Sequence, residues 1–153
     1  AEVVMSLAEQ KAVDVAKEMP EGTVILGSDT VVAADGKILG KPKSHEEAYE
    51  MIRRLAGRSH QVYTGVCLVK KGPEGEADTV VSFYDETDVN VSPMTEKEIR
   101  EYADSEEPMD KAGSYAVQGF FARYIDGLKG SYANVMGLPV HLVYQELKKL
   151  GAL

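Results

Sequence analysis

Asp35-Gly36 stands between the apolar stretches Val31-Val32-Ala33-Ala34 and Ile38-Leu39. No short signal constrains a chain more, because this dipeptide between strand-like runs specifies a two-residue hairpin in which both turn residues take positive φ. The chain must then double back within two residues. Upstream, Val24 to Leu26 is a short β-branched, apolar run, and open α/β sheets bind ligands beyond the carboxyl ends of such strands, which places Asp29 at a ligand-facing end. The hairpin would return Gly40-Lys41-Pro42 towards Asp29, so that a carboxylate and an ammonium share a cleft. An Asp that caps a turn beside a solvated Lys is the plainer reading of the pair, and the hairpin alone does not decide between them.

The rest of the chain bounds the possibilities. With 153 residues, 44% of them hydrophobic, the expectation is one domain, 1–153, with its own core. A net charge of −8 opposes a general nucleic-acid or anionic-membrane surface, both of which need a basic field. It leaves open a small polyphosphate, which a few local cations and a divalent metal can hold. The single cysteine, Cys67, excludes an internal disulfide and points to a reducing cytoplasm, with Cys67 itself read as a core thiol. No signal peptide or membrane span is visible in the sequence, which agrees with a cytoplasmic protein.

Periodicity supplies the elements. Val4, Leu7, Ala8, Ala12 and Val15 fall on one stripe of a helix to about Lys17, with Lys11 beside it as an expected snorkelling surface Lys. Ser44 with Glu47 reads as a capping box for a helix burying Ala48, Met51, Ile52 and Leu55, and Thr95 with Glu98 as another for a helix to about Ala103. His60 to Val69 is a strand with Val62, Thr64, Val66 and Leu68 on one side. His60 itself is expected to be a hydrogen-bonded structural residue, since three histidines without cysteine partners make a poor zinc site. Thr79 to Val91 is a second long strand anchored by Val81, Phe83, Val89 and Val91, whose acidic middle, Asp85 to Asp88, reads as a solvated face. Phe121 to Leu128 is read as a further strand, and Pro139 as the start of a helix carrying Val140, Val143, Leu147 and Leu150. Helices alternate with strands early and strands run consecutively in the middle, so the class is α/β with a mixed rather than fully parallel sheet.

A second chemical centre is Met109 to Gly119. Its glycines allow close backbone approach, Lys111 brings charge, and the Gln118 amide offers a donor and an acceptor to a base edge. The spacing is not that of a P-loop, and a turn around a buried Tyr115 accounts for the same residues.

Five blocks together resemble the Maf family of nucleoside triphosphate pyrophosphatases, also known as septum formation inhibitors. They are Gly27-Ser28-Asp29-Thr30-Val31-Val32, Leu39-Gly40-Lys41-Pro42, Leu55-Ala56-Gly57-Arg58-Ser59-His60 with Tyr63-Thr64-Gly65-Val66, Glu107 to Tyr115 with Gln118-Gly119, and Gly130-Ser131-Tyr132 with Asn134 to Pro139. They run in family order over nearly the whole chain. The resemblance implies an elongated, two-lobed sheet with a central cleft, like the inosine triphosphate pyrophosphatases, and commonly a homodimer. It implies hydrolysis of a nucleoside triphosphate between the α and β phosphates with a divalent metal, Mg or Mn. On this resemblance Asp29 is the base and a metal contact, Lys41 and Lys11 neutralise the polyphosphate, with Lys111 as a helper. Thr30 and Gln118 select the base, in the manner of the branch acting on dTTP and UTP. Two other classes stay in view: a pyrophosphatase for modified purine nucleotides or 7-methyl-GTP, and a nucleotide-binding regulator of cell division.

One departure carries an expectation of its own. Family members open with an apolar strand and a Ser-Pro-Arg-Arg segment, whereas this chain begins Ala1-Glu2-Val3-Val4, already in a helical pattern. The domain is therefore expected to be N-terminally incomplete, with a strand neighbour left unpaired and two phosphate-binding arginines absent.

Overall fold

The computed structural model describes residues 1–153. Five strands form one sheet, β1 (Val24–Ala34), β2 (Lys37–Leu39), β3 (Ser59–Lys70), β4 (Thr79–Val91) and β5 (Ile125–Lys129), in the order β2-β1-β3-β4-β5. Around it lie α1 (Glu2–Ala16), α2 (His45–Leu55), α3 (Glu96–Ala103), α4 (Tyr132–Met136) and α5 (Val140–Lys149). The α/β class holds, but every strand junction is antiparallel, so the sheet is not a mixture of parallel and antiparallel strands. The reason lies in the turn at Asp35-Gly36. With φ of 51° and 75°, these residues form the expected tight hairpin and lay β2 against the outer edge of β1. The following α2 crossover carries the chain over β1, so β3 lands on β1's other side, and the two co-directional strands β2 and β3 never touch.

Side chains alternate across the sheet, and the two faces are used at different ends. At one end, Ile25, Cys67 and Val69 pack against Ala8, Ala12 and Ala16 of α1. From there the opposite face buries Val66 and Leu68 under Val143 of α5. At the other end that same opposite face, through Val32, Ala34, Val62, Val89 and Val91, carries the main core with Ile52, Leu55, Ile99, Tyr102 and Phe121. The α1 face ends near Asp29, and the cores of the two lobes meet at Asp29 and Thr30.

The seat of α1 differs from the expected stripe. Val4, Ala8, Ala12 and Ala16 are buried, while Leu7 and Val15 are 38% and 48% exposed. A run of small residues every fourth position lets the helix lie directly on the strand backbones. A Cβ at Gly27 would overlap the Ala8 carbonyl, and one at Gly65 would overlap the Val4 backbone. Contact this close leaves no room for Leu7 or Val15 at the interface.

Two helix starts match their sequence signals to different extents. The Thr95–Glu98 capping box is complete, whereas Ser44 accepts from the Glu47 N–H without the reciprocal bond. The stretch expected as one strand from Phe121 is instead a 3₁₀ segment, Phe120–Tyr124, leading into β5. Phe121 is fully buried and packs its ring 5.0 Å from Tyr102, 4.9 Å from Tyr115 and 5.6 Å from Tyr124. Cys67 is buried, and burial pushes its thiol up, as a core thiol requires. No helix is long and apolar enough to cross a membrane.

Candidate functional site

At the waist of the sheet, consecutive residues of β1 point to opposite faces, and the sequence-predicted site divides between them. Asp29 faces α1. Its Oδ1 accepts a hydrogen bond from Lys11 Nζ at 2.8 Å, with side-chain exposures of 22% for Asp29 and 57% for Lys11. Lys11 also reaches the Ser28 carbonyl at 3.4 Å. The close seat of α1 on Gly27 and Gly65 brings this ammonium within reach. Lys11 is thus not merely a snorkelling side chain.

Thr30 faces the other way, into a cavity of about 240 Å³. Its floor is Thr30, Val32 and Val62, one wall runs over Asp110–Ala112 and Tyr115–Gln118, and Val135–Gly137 form the other. Ligand pockets for whole drug-sized molecules span roughly 300–1,000 Å³. A cavity of this size takes a base or a base with part of a sugar, and a polyphosphate has to extend outside it.

Thr30, Gln118 and Lys111 are brought together here; Asp29 and Lys11 are not among them. Lys41 is exposed and makes no ion pair with Asp29, the partner expected from the hairpin. The hairpin does fold back: Leu39 pairs with Val32, and the next residue, Gly40, accepts from the Gly113 N–H at 3.1 Å. That bond joins the two chemical centres of the sequence and leaves Lys41 on the cavity's side of the strand edge. There it joins Lys111 in holding the Asp110 carboxyl below its usual range, the Lys111 hydrogen bond at 2.6 Å being the main cause. Gln118 is exposed at the rim and has no hydrogen-bond partner within the protein.

The floor is held by a polar knot that sequence reasoning passed over. Thr64 donates to the Asn134 carbonyl at 3.0 Å, and its oxygen lies 2.9 Å from Thr30 Oγ1. With the Thr64 proton committed to Asn134, Thr30 must be the donor between the two threonines, so only the lone pairs of Thr30 remain for a ligand. Asn134 Nδ2 donates to the Val62 carbonyl at 3.2 Å and to Thr87 Oγ1 at 2.8 Å, and Thr87 also accepts from the Ser131 N–H. Ser28 donates to the Gly137 carbonyl at 3.0 Å. These bonds fasten α4 to the sheet and fix the Val135–Gly137 wall. The signal was present in the sequence: Thr64 and Thr87 occupy inward positions where alternation otherwise gives Val.

Behind the wall, His60 is 1% exposed and its Nε2 lies 2.7 Å from the Tyr115 hydroxyl. Burial pushes this imidazole down to about 4, so it is neutral near pH 7 and serves as the expected structural histidine. Its Nδ1 has no partner.

A larger open groove, about 600 Å³, runs along α1 beside Ser82, but Glu2, Glu9 and Asp14 line it. Its charge opposes a polyphosphate. Nowhere do three His, Cys, Asp or Glu side chains gather to form an all-protein metal cage.

The Maf family pattern, described as Maf-like protein, matches residues 1–150. The chain belongs to the Maf family. Among its relatives is a dTTP/UTP pyrophosphatase of Lachnoclostridium phytofermentans, 48% identical over 149 residues, covering 97% of this chain and 75% of the relative. A dTTP/UTP pyrophosphatase of Carboxydothermus hydrogenoformans is 47% identical over 150 residues, 98% of this chain and 78% of the relative. One from Bacillus mycoides is 45% identical over 148 residues, 97% and 74%. This Maf chain therefore spans about three-quarters of the length of each of these relatives, with the Asp29 and Gln118 segments both inside the match.

Proposed function

We infer that this chain is a nucleoside triphosphate pyrophosphatase of the dTTP and UTP kind, cleaving between the α and β phosphates. The names of its relatives support the reaction. The observation that supports the base preference is Thr30, whose hydroxyl, its proton given to Thr64, can only accept. Uracil and thymine carry an N–H at ring position 3, which a lone pair can receive; cytosine presents a lone pair there, and two acceptors repel. Gln118, unpartnered at the rim, offers the amide that completes the base contact.

The division of the site across the sheet fits a substrate that crosses the strand. In this reading the base sits in the cavity beside Thr30, and the phosphates extend out of it towards Asp29 and Lys11. Lys41 and Lys111 flank the path. Phosphoryl transfer needs an oriented water and cations where charge collects. Asp29 orients the water and takes its proton, and Lys11 pairs with a phosphate oxygen once the ion pair opens, an exchange that costs little for a pair so exposed.

The donor set also fits a divalent metal, Mg or Mn. Asp29 Oδ1 is taken by Lys11 while Oδ2 accepts no bond from the protein, and such ions are commonly held by one or two carboxylates together with substrate phosphates. Bound there, the metal would neutralise charge on the leaving pyrophosphate. A single domain, 1–153, carries these parts.

The deciding experiment measures pyrophosphate release from UTP, dTTP, CTP, 7-methyl-GTP and ITP by the parent and by Thr30→Val. The parent prefers UTP and dTTP, and the variant loses about tenfold of that preference over CTP. Equal use of CTP by the parent, or an unchanged ratio in the variant, refutes the reading.

A further inference from the structure

We propose that Glu107 is a positioning residue for base selection, and that its carboxylate closes the loop on which Gln118 is carried. The proposal rests on the reading of the cavity as the base site.

One wall of that cavity is a single excursion of chain, and the cavity residues Asp110, Lys111, Tyr115 and Gln118 all fall between Glu107 and Gly119. The excursion is irregular. Two 3₁₀ turns, Glu107–Asp110 and Ala112–Ser114, are joined by an extended Lys111, and the second carries positive φ at Gly113 and Ser114. Its middle is held by the Gly113 bond to Gly40 and by Tyr115 against His60, which leaves the ends to be tied. Glu107 ties them. Its Oε1 accepts from the Phe120 N–H at 2.8 Å, and its Oε2 from the Phe121 N–H at 3.3 Å and from the Tyr102 hydroxyl at 2.6 Å. The two backbone donors lie just past Gln118 and Gly119. A Cβ at Gly119 would overlap the carboxylate, so the chain passes against Glu107 without a side chain in between.

A glutamate at the start of a 3₁₀ turn often serves that turn's own N–H groups. Here the backbone donors come from thirteen and fourteen residues further on, so the carboxylate bridges the neck of the loop. Tyr102, 6% exposed in α3, anchors it to the main core. The Gln118 side chain makes no bond within the protein, so its placement is inherited from the backbone on either side, the Ala116–Gly119 turn on buried Val117 and the Glu107 neck just beyond it. Loosening the neck frees the amide that meets the base, while Asp29 and Lys11, on the opposite face of the sheet, stay where they are.

The test uses the full chain and its Glu107→Ala, Glu107→Gln, Tyr102→Phe and Gln118→Ala variants. Binding of UTP and of CTP is measured by calorimetry with divalent metal chelated, and KM and kcat are measured with Mg. Glu107→Ala weakens UTP binding about tenfold and brings UTP and CTP within about threefold of one another, while kcat at saturation, which senses the loop only through Lys111, falls by less than the selectivity does. Glu107→Gln, whose amide retains one acceptor, recovers part of the selectivity. Tyr102→Phe removes one of the three bonds without opening the neck; it lowers the melting temperature and keeps the UTP-to-CTP ratio. Where Glu107→Ala fails to fold, Glu107→Gln carries the test, together with faster amide exchange over residues 115–119. If the glutamate variants keep the parent ratio while Gln118→Ala loses it, Glu107 has no positioning role. If Gln118→Ala keeps the ratio as well, the base-site reading itself fails, and the proposal falls with it.

Discussion

Acid should destabilise this protein through one residue in particular. His60 is 1% exposed, and burial pushes its imidazole from 6.5 to about 4. The unfolded chain, with His60 in water, binds the proton first as pH falls. The stability tied to neutral His60 is therefore complete above pH 6.5 and is lost as pH falls towards 4. Between pH 7.5 and 4.5 this loss is about 2.5 kcal/mol. This is a large share of the roughly 5–15 kcal/mol that holds a typical domain. Carboxylates held low by their partners, such as Asp78 and Asp110, lose stability in acid too, so the measurement must be a difference. Urea unfolding of the parent and of His60→Gln at pH 7.5 and 4.5 isolates the imidazole, because the glutamine amide can meet the Tyr115 hydroxyl but does not titrate. The variant is less stable at pH 7.5 and falls by about 2.5 kcal/mol less on acidification. Equal losses in the two proteins, within about 0.5 kcal/mol, would show that His60 is hydrated or charged in the folded state and refute the argument.

Two further outcomes follow from the geometry. Asp29→Asn leaves the urea midpoint nearly unchanged, since an exposed ion pair contributes about 0–1 kcal/mol, but lowers pyrophosphate release by at least about a hundredfold; turnover near the parent's would move the base elsewhere. Gly65→Val forces α1 off the sheet, costing about 3 kcal/mol in denaturant unfolding and reducing turnover as Lys11 withdraws; an unaltered melting temperature would mean that the helix seat gives way freely.

Much of the fold could be read from the chain because its local signals agree with its tertiary needs. The Asp35-Gly36 turn, the Thr95–Glu98 box and the alternation of β3 each specify a conformation that the surroundings then use. The failures arise where a distant partner decides. Leu7 and Val15 sit at helical spacing, yet Gly27 and Gly65, far along the chain, set how closely the helix lies and so exclude them. Phe121 to Leu128 has strand composition, but three aromatic rings and the Glu107 carboxylate claim its first half. Asp29, Thr30, Lys111 and Gln118 were all legible as candidates from family wording. That Asp29 finds Lys11 and not Lys41 depends on which face each occupies, and no local pattern encodes that.

The alternation of a strand gives the candidate site its logic. Successive side chains of β1 point to opposite faces, so an Asp-Thr dipeptide inside a sheet cannot present both groups to one ligand from one side. In the proposed reading the alternation separates two tasks: Thr30 and the Gln118 loop meet the base in the cavity, while Asp29 and Lys11, on the other face, serve the phosphates. Specificity and chemistry then depend on different supports, the Asn134 and Glu107 bonds on one face and the glycine seat of α1 on the other. Damage to the first set should raise KM and relax base choice, and damage to the second should lower kcat.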